Sequence, residues 1–519
     1  MKNKASDKKT VPTPALRDGE HQSPWQTGIS LTEDQEATIN TSYDVLIVGA
    51  GITGITTALM LQKAGKQCVV ADSYVAGFGT TGGTSAHLNT FADTTYAEAE
   101  SAFGKEGAQL FADAINEGFD IINSNIKHYK IDCDYETKTG FVYAETDDEV
   151  KQLDDLYTGT QNVGVSINYT DDVPTPVEYQ KAVALPDQAQ FHPLKYLQAI
   201  QQQFIELGGV VLNYTQVTEF EQSGGLFKVA TNNNPISARA IIYATHMPPG
   251  VNVFNFRCAP YRSYVLGVKL TDDKYPDALV YDMQEPYHYF RTHEIDGQKF
   301  LIAGGNDHKT GHEDAEKAFE DLEKYIRKYY NVSSVKYKWS SQYYVPVDGF
   351  PYIGQMPGEP QGVYCATGYN GNGMMLGSIA AKILSDLVIG DEGKYEKIFS
   401  PARIKPIDGF TEFVKENADV AYHFIADRFN IHETDSLKRL KPDSGKVVEV
   451  NGQKIAAYRD GTGKIHALSP VCTHAKCIVN WNQEEKSWDC PCHGARFDIN
   501  GEVLTGPARK ELQQINLGE

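Results

Sequence analysis

A chain of 519 residues exceeds what one ordinary hydrophobic core supports and predicts about three folded units. Its hydrophobic (41%), aromatic (11%) and charged (22%) shares exclude a disordered or collagen-like chain, and a net charge of −20 excludes nucleic acid as partner. There is no run of about 18 apolar residues, and no apolar core follows the charged N-terminal MKNKASDKKTVPTPALRDGEHQ, so the expectation is a soluble, unexported, cytoplasmic protein without a membrane span.

Residues 1–42 are polar and aperiodic and read as a surface arm, with Trp25 placed to pin it. From Tyr43 the apolar run DVLIV leads into VGAGITG and the helical pattern ITTALMLQKAG, which Gly65 ends before the strand CVVAD. This is the opening βαβ unit of a doubly wound sheet, in which a nucleotide sits at the carboxyl ends of the strands. Gly49, Gly51 and Gly54 form G-x-G-x-x-G, serving a tight turn, the approach of a pyrophosphate and the packing of helix on strand. Asp72, 21 residues after Gly51, is placed to accept hydrogen bonds from ribose hydroxyls.

The hydroxyl-rich AGFGTTGGTSAHLNTF suits a channel from phosphates to an isoalloxazine ring and favours FAD over NAD. Segments 194–207, 210–213, 226–230 and 239–245 continue a mixed α/β pattern, and 261–305 is rich in strand-like runs. GVYCATGYNGNGMMLGSIAAKILSDLV reads as strand, glycine turn and long helix, with a helix N-terminus near Gly373 whose positive end suits the pyrimidine edge of a flavin. Residues 401–435 read as a polar, weakly helical linker, followed after Ser436 by short strands and frequent turns. The last 84 residues carry a net charge of +2 against −22 on the remainder, a contrast that suits intramolecular docking.

Cys68, Cys133, Cys258 and Cys365 are scattered, as buried small hydrophobes are, whereas Cys472, Cys477, Cys490 and Cys492 crowd near the C-terminus. Cys472-Thr-His474, fifteen residues, then Cys490-Pro-Cys492-His493 puts two Cys-His pairs on two loops. Zinc accepts these ligand types, but the split into two pairs fits a Rieske [2Fe–2S] centre, one iron on thiolates and the other on imidazoles.

With VGAGITG, CVVAD, FHPLKYLQAI, VDGFPYIG and ATGYNGNGMMLGSIAA, the chain from Asp44 to about Arg403 resembles the D-amino-acid oxidase, glycine oxidase and sarcosine oxidase superfamily. The resemblance implies an α/β doubly wound FAD-binding domain interleaved with an α+β substrate domain within 43–400, the substrate part being roughly 91–184 and 251–340. It implies non-covalent FAD held by Gly49, Gly51, Gly54, Asp72, Thr80 and Thr81, and further by Ser85, Val217, Gly368 and Gly373, with covalent attachment at His87 as the alternative.

Residues 436–519 resemble a small all-β Rieske domain, which implies Cys472, His474, Cys490 and His493 as cluster ligands and GPA at 506–508 as the covering proline loop. Likeness to the respiratory type implies a disulfide between Cys477 and Cys492. That type often carries Ser and Tyr donors after CPCHG where this chain has Ala495 and Phe497, implying a lower potential within the Rieske range of about −150 to +300 mV.

The two halves together look like the bacterial FAD-dependent oxidoreductases with a C-terminal Rieske domain. The expected function is oxidation of an amine-like small molecule, with electrons passed singly from flavin to cluster and on to an external acceptor. The alternatives are a flavin monooxygenase fed by the cluster from an external donor, and an electron-transfer or redox-sensing protein without its own substrate.

Against the amino-acid oxidases, the place of the carboxylate-clamping Arg holds Tyr343. Ile302 falls where sarcosine oxidases carry a Lys thought to promote reaction with oxygen, which favours a dehydrogenase over an oxidase. Candidate groups on the substrate sheet are Arg262, Tyr264, Tyr287, His288 and Tyr289, with Asp307 and Lys309 further on. Arg291 and His308 are the catalytic candidates.

Overall fold

The computed structural model describes residues 19–27, 42–312, 314–391, 393–403 and 437–517, so most of the expected arm and nearly all of the linker lie outside the described residues. The strand Ser42–Val48 is apolar on both faces because it is covered on both, which is why DVLIV reads as an unbroken run rather than an alternation. It lies between the parallel strands Ile236–Tyr243 and Cys68–Ala71. The sheet extends through Val363–Thr367 on one side and Val210–Leu212 on the other.

The helix Ile52–Lys63 packs on this sheet against the helices Pro193–Glu206 and Gly373–Ile389. Pro193–Glu206 starts one residue before the expected position, because the His192 imidazole accepts from the Lys195 amide and Pro193 suits the first turn.

A second, nine-stranded and mostly antiparallel sheet carries the substrate part. Its spine is Cys258–Leu270, paired along nearly its whole length with Val332–Pro346 and on its other side with Gln298–Lys309. Leu279–Asp282, His288–Ile295, Glu136–Ala144 and Lys181–Gln190 complete the wall. The C-terminal unit has two small antiparallel sheets, 444–468 and 480–505, around a core containing Trp488, Phe497 and four cysteines. The all-β character expected there is present.

Trp25 is fully buried and donates its indole N–H to the Thr84 carbonyl at 2.7 Å, so this short stretch of the arm is anchored on the flavoprotein body. No helix among the described residues is long and apolar enough to cross a membrane.

Candidate active site

One cavity of about 1500 Å³ runs from the glycine turn to the substrate sheet and reaches the C-terminal unit. Gly49, Gly51, Asp72 and Val217 line its dinucleotide end, Thr80, Thr81 and Ser85 its middle, and Gly373 the N-terminus of the last long helix. Asp72 is fixed by the Ala50 and Tyr74 amides, each donating to one carboxylate oxygen at 2.8 Å. Thr81 Oγ1 accepts from the Ile52 amide at 3.0 Å and so caps the first turn of the helix behind the glycine turn.

Two expected FAD contacts sit behind the wall. A Cβ on Gly54 would lie 1.9 Å from the Gly49 carbonyl, so this glycine sets helix-to-strand distance. Gly368, at φ +77, turns the chain after its strand against Pro346. The elongated cavity, its glycine edge and a carboxylate at the ribose position fit FAD. Gly54→Ala is expected to purify with less than about a tenth of the wild-type flavin absorbance, since the clash must displace the turn itself.

At the substrate end strand alternation decides which candidates face the cavity. Tyr261, Ser263 and Val265 line it, while Arg262 and Tyr264 turn away; Tyr287 and Tyr289 line it, while His288 turns away. Asp307 lines it, and the catalytic candidate His308 does not: its Nε2 is 3.0 Å from the Tyr264 hydroxyl and its ring stacks on that phenol.

The other catalytic candidate, Arg291, is also behind the wall. It is fully buried, reaches the Ala86 and Phe191 carbonyls at 3.3 and 3.5 Å, and lies over the Trp25 ring at 5.0 Å. Both residues therefore pack the sheet rather than face a substrate. Lys309 does not line the cavity, and Ile302, expected opposite the flavin, is buried in the sheet's apolar core. His87 is on the wall between Tyr281 and Tyr289, its pKa held well below the usual imidazole range by burial and by Arg291.

Tyr343 donates its hydroxyl to Asp307 Oδ2 at 2.8 Å, while Asp307 Oδ1 is buried with no hydrogen-bond partner. Burial pushes the Asp307 carboxyl up to about 7 against the opposing hydrogen bonds of Ser263 and Tyr343, and Asp93 and Glu285 add repulsion.

In the C-terminal unit Cys472 and Cys490 are buried free thiols on facing loops, and a disulfide joins Cys477 to Cys492. Cys490 Sγ lies within 4.8 Å of both disulfide sulfurs. The His474 and His493 rings are 5.0 Å apart; the buried His493 nitrogens have no hydrogen-bond partner, and His474 lies against the Gly250 backbone. Burial holds both imidazoles below their ordinary pKa, His493 at about 3 with His474 adding repulsion. Two buried thiols close enough to hydrogen-bond each other and two neutral imidazoles on facing loops fit a [2Fe–2S] cluster.

Ala495 and Phe497 are fully buried and offer no hydroxyl to this cage. Phe497→Tyr is expected to raise the cluster midpoint potential in a potentiometric titration, because an added donor stabilises the reduced, more negative state.

The cage faces the flavoprotein, and sequence reasoning gave no sign of the residues between them. Thr80 Oγ1 lies 3.1 Å from His246 Nδ1 and 3.2 Å from the Gln342 carbonyl. The His246 ring meets Tyr344 edge-on at 4.9 Å, and Tyr344 donates to the His493 carbonyl at 3.4 Å. Gln342 Nε2 donates to the Tyr344 hydroxyl at 3.0 Å and to the Gly494 carbonyl at 3.1 Å. Gly494, at φ +71, is forced by this contact, since a Cβ would lie 2.6 Å from Pro260 and 2.7 Å from Gln342. The one available signal was alternation: Gln342 and Tyr344 flank Tyr343 on a strand already placed at the site.

Three further contacts fasten the units. Arg509 donates to the Thr218 and Pro249 carbonyls at 2.9 and 2.8 Å. Asn480 donates to the Gly311 carbonyl at 2.8 Å. Arg262 and Glu485 form a fully buried pair at 3.7 Å, in which Ser340 also donates to Glu485 and the His21 amide reaches its other oxygen at 3.3 Å.

A flavin-sized cavity whose wall doubles as the docking face of a cluster cage defines an FAD oxidoreductase carrying a Rieske module. The chain belongs to the family of FAD dependent oxidoreductases, whose model matches residues 44–387, and a Rieske [2Fe-2S] domain matches residues 430–516. The protein YhfW of Bacillus subtilis (strain 168), named for a Rieske 2Fe-2S centre, is 34% identical over 496 residues, covering 95% of this chain and 97% of its own. Gamma-glutamylputrescine oxidoreductase of Escherichia coli (strain K12) is 23% identical over 412 residues, covering 76% of this chain and 95% of its own. Among solved structures, glycine oxidase from Geobacillus kaustophilus superposes on 70% of this chain and 100% of its own with a TM-score of 0.58 at 17% identity.

Proposed function

We infer that the protein dehydrogenates an amine on FAD and sends the two electrons, one at a time, to its own Rieske cluster and then to an external acceptor. The observation that carries this reading is the docking of the cluster loops on the cavity wall through Gln342 and Tyr344, which puts both cofactor sites on one strand. When bound, FAD supplies acceptance of a hydride from the carbon beside nitrogen, leaving an imine for hydrolysis and two electrons to be passed on.

The chain's own residues do the rest. The glycine turn, Asp72 and Thr81 hold the dinucleotide, the tyrosines and Asp307 enclose the substrate, and the Rieske unit covers one side of the cavity. Dehydrogenase rather than oxidase chemistry is supported by this electron exit. It is also supported by the absence of any lysine among the described lining residues except Lys510, which the Rieske unit contributes. Kinship to an enzyme named for a glutamylated putrescine is consistent with an amine substrate.

The test is anaerobic stopped-flow mixing of the FAD- and cluster-loaded protein with amines or with NAD(P)H, following flavin and cluster absorbance separately. Bleaching of the flavin by an amine, followed by cluster reduction, is the expected result. Reduction by NAD(P)H alone would mean that electrons enter from an external donor, as in a cluster-fed monooxygenase or a carrier.

A further inference from the structure

We propose that Asp307 is the ammonium-binding group of the active site, and that the cavity takes cationic amines without a carboxylate next to the amine carbon, such as diamines or N-alkylamines. This substrate class rests on the amine-oxidising reading above.

Four observations carry it. Asp307 lines the cavity with its carboxylate, whose Oδ2 is oriented by Tyr343 at 2.8 Å beside the Ser263 hydroxyl and whose buried Oδ1 has no hydrogen-bond partner at normal geometry. Of the other carboxylates on the cavity wall, Asp282 accepts from the His288 backbone and ring at 2.7 and 2.8 Å and Asp93 from the Gly371 amide at 2.6 Å, while Glu285 adds negative charge beside Asp307. Phenol rings flank Asp307, with Tyr261 and Tyr343 at 6.0 Å between centroids and Tyr287 and Tyr289 at 5.9 Å, so a cation there meets aromatic faces.

The fourth observation is the lack of a partner for an anion. Arg509 and Lys510 are the only Arg or Lys among the described lining residues. Both come from the Rieske unit, and the Arg509 guanidinium is taken up by the Thr218 and Pro249 carbonyls. Arg291 lies behind the wall with its guanidinium on backbone carbonyls and the Trp25 ring. A substrate carboxylate would be desolvated against Asp307 and the tyrosines with no cation to meet it, a cost that a simple amine avoids. An ammonium instead gains a charge-assisted hydrogen bond to the Asp307 carboxylate.

The test uses the intact, FAD- and cluster-loaded protein and two unreactive probes, tert-butylammonium, which has N–H donors but no C–H beside nitrogen to lose, and butyrate, titrated against the flavin absorption spectrum. The cation is expected to perturb the spectrum saturably and butyrate to leave it unchanged. Asp307→Asn should weaken the cation at least about tenfold, with FAD content and the cluster spectrum unchanged. Tyr343→Arg, which restores a guanidinium beside Asp307, should reverse the preference between the probes.

Butyrate binding as tightly as the cation in the wild type, or an Asp307→Asn protein that binds the cation unchanged, would overturn the proposal. The wild-type reduction assay separates this from the wider reading. Flavin bleaching by N-methyl amino acids in preference to N-alkylamines overturns the substrate class alone. No bleaching by any amine overturns amine oxidation, and the proposal with it.

Discussion

Cys490→Ser is expected to give a protein that keeps its FAD but lacks the electron paramagnetic resonance signal of a reduced Rieske cluster. The thiol is buried on the loop facing Cys472, and no other free cysteine lies in the C-terminal unit, since Cys477 and Cys492 are tied together. A serine alkoxide is a poor replacement for a thiolate on iron, and loss of one ligand forfeits the cluster rather than weakening it. The dinucleotide turn and Asp72 are built from the other half of the chain, so flavin content should stay at the wild-type level. Amine-dependent reduction of a one-electron acceptor should fall at least about a hundredfold while anaerobic flavin bleaching persists, an outcome specific to the cluster as the exit for electrons. A normal resonance signal in the variant would contradict the ligand assignment.

The second large effect is expected at the buried pair that fastens the two units. Glu485 takes donors from Arg262, Ser340 and the His21 amide, and both charged side chains are inaccessible to water. Glu485→Ala removes the nearer carboxylate from the buried Arg262 and leaves only Asp489 to meet its charge, a change that costs up to about 3–5 kcal/mol and weakens the docking contact. The Rieske unit should release from the flavoprotein face, seen as protease cleavage between the units and a slowed cluster reduction, with flavin bleaching by substrate retained. Replacing both partners by apolar residues, Arg262→Met with Glu485→Leu, should recover much of the lost stability, because burying no charge is cheaper than burying one. Equal protease resistance of wild type and Glu485→Ala would show that the pair does not hold the units together.

The parts of this architecture that obey local rules were readable from the chain. The unbroken apolar run before Gly49, the glycine spacing, Asp72 at the end of the second strand and the Cys-His pairs each constrain one short stretch of backbone, and the structure puts them where those constraints require. The substrate wall was less legible because the choice between neighbours on a strand depends on register. Asp307 and His308 differ by one position, yet one lines the cavity and the other stacks on Tyr264. Arg291 carried no local sign that it would be buried beneath Trp25, a contact between segments more than 260 residues apart. The docking face had none either, since Gln342, Tyr344 and Gly494 acquire their roles only when two separately folding units meet. The charge contrast between the halves pointed toward docking, whereas the fastening includes the buried Arg262–Glu485 pair, an ion pair between Lys338 and Glu484, and a set of backbone contacts.

The account stands on the two redox sites serving one another within a chain, and the most direct measurement is flash photoreduction of the flavin in the anaerobic, fully loaded protein, with cluster absorbance followed over a range of protein concentrations. The expected result is first-order cluster reduction at a rate independent of concentration and slowed in Glu485→Ala. A rate that rises in proportion to protein concentration, or a flavin that reoxidises with the cluster left untouched, would contradict electron transfer across the Gln342–Tyr344 face.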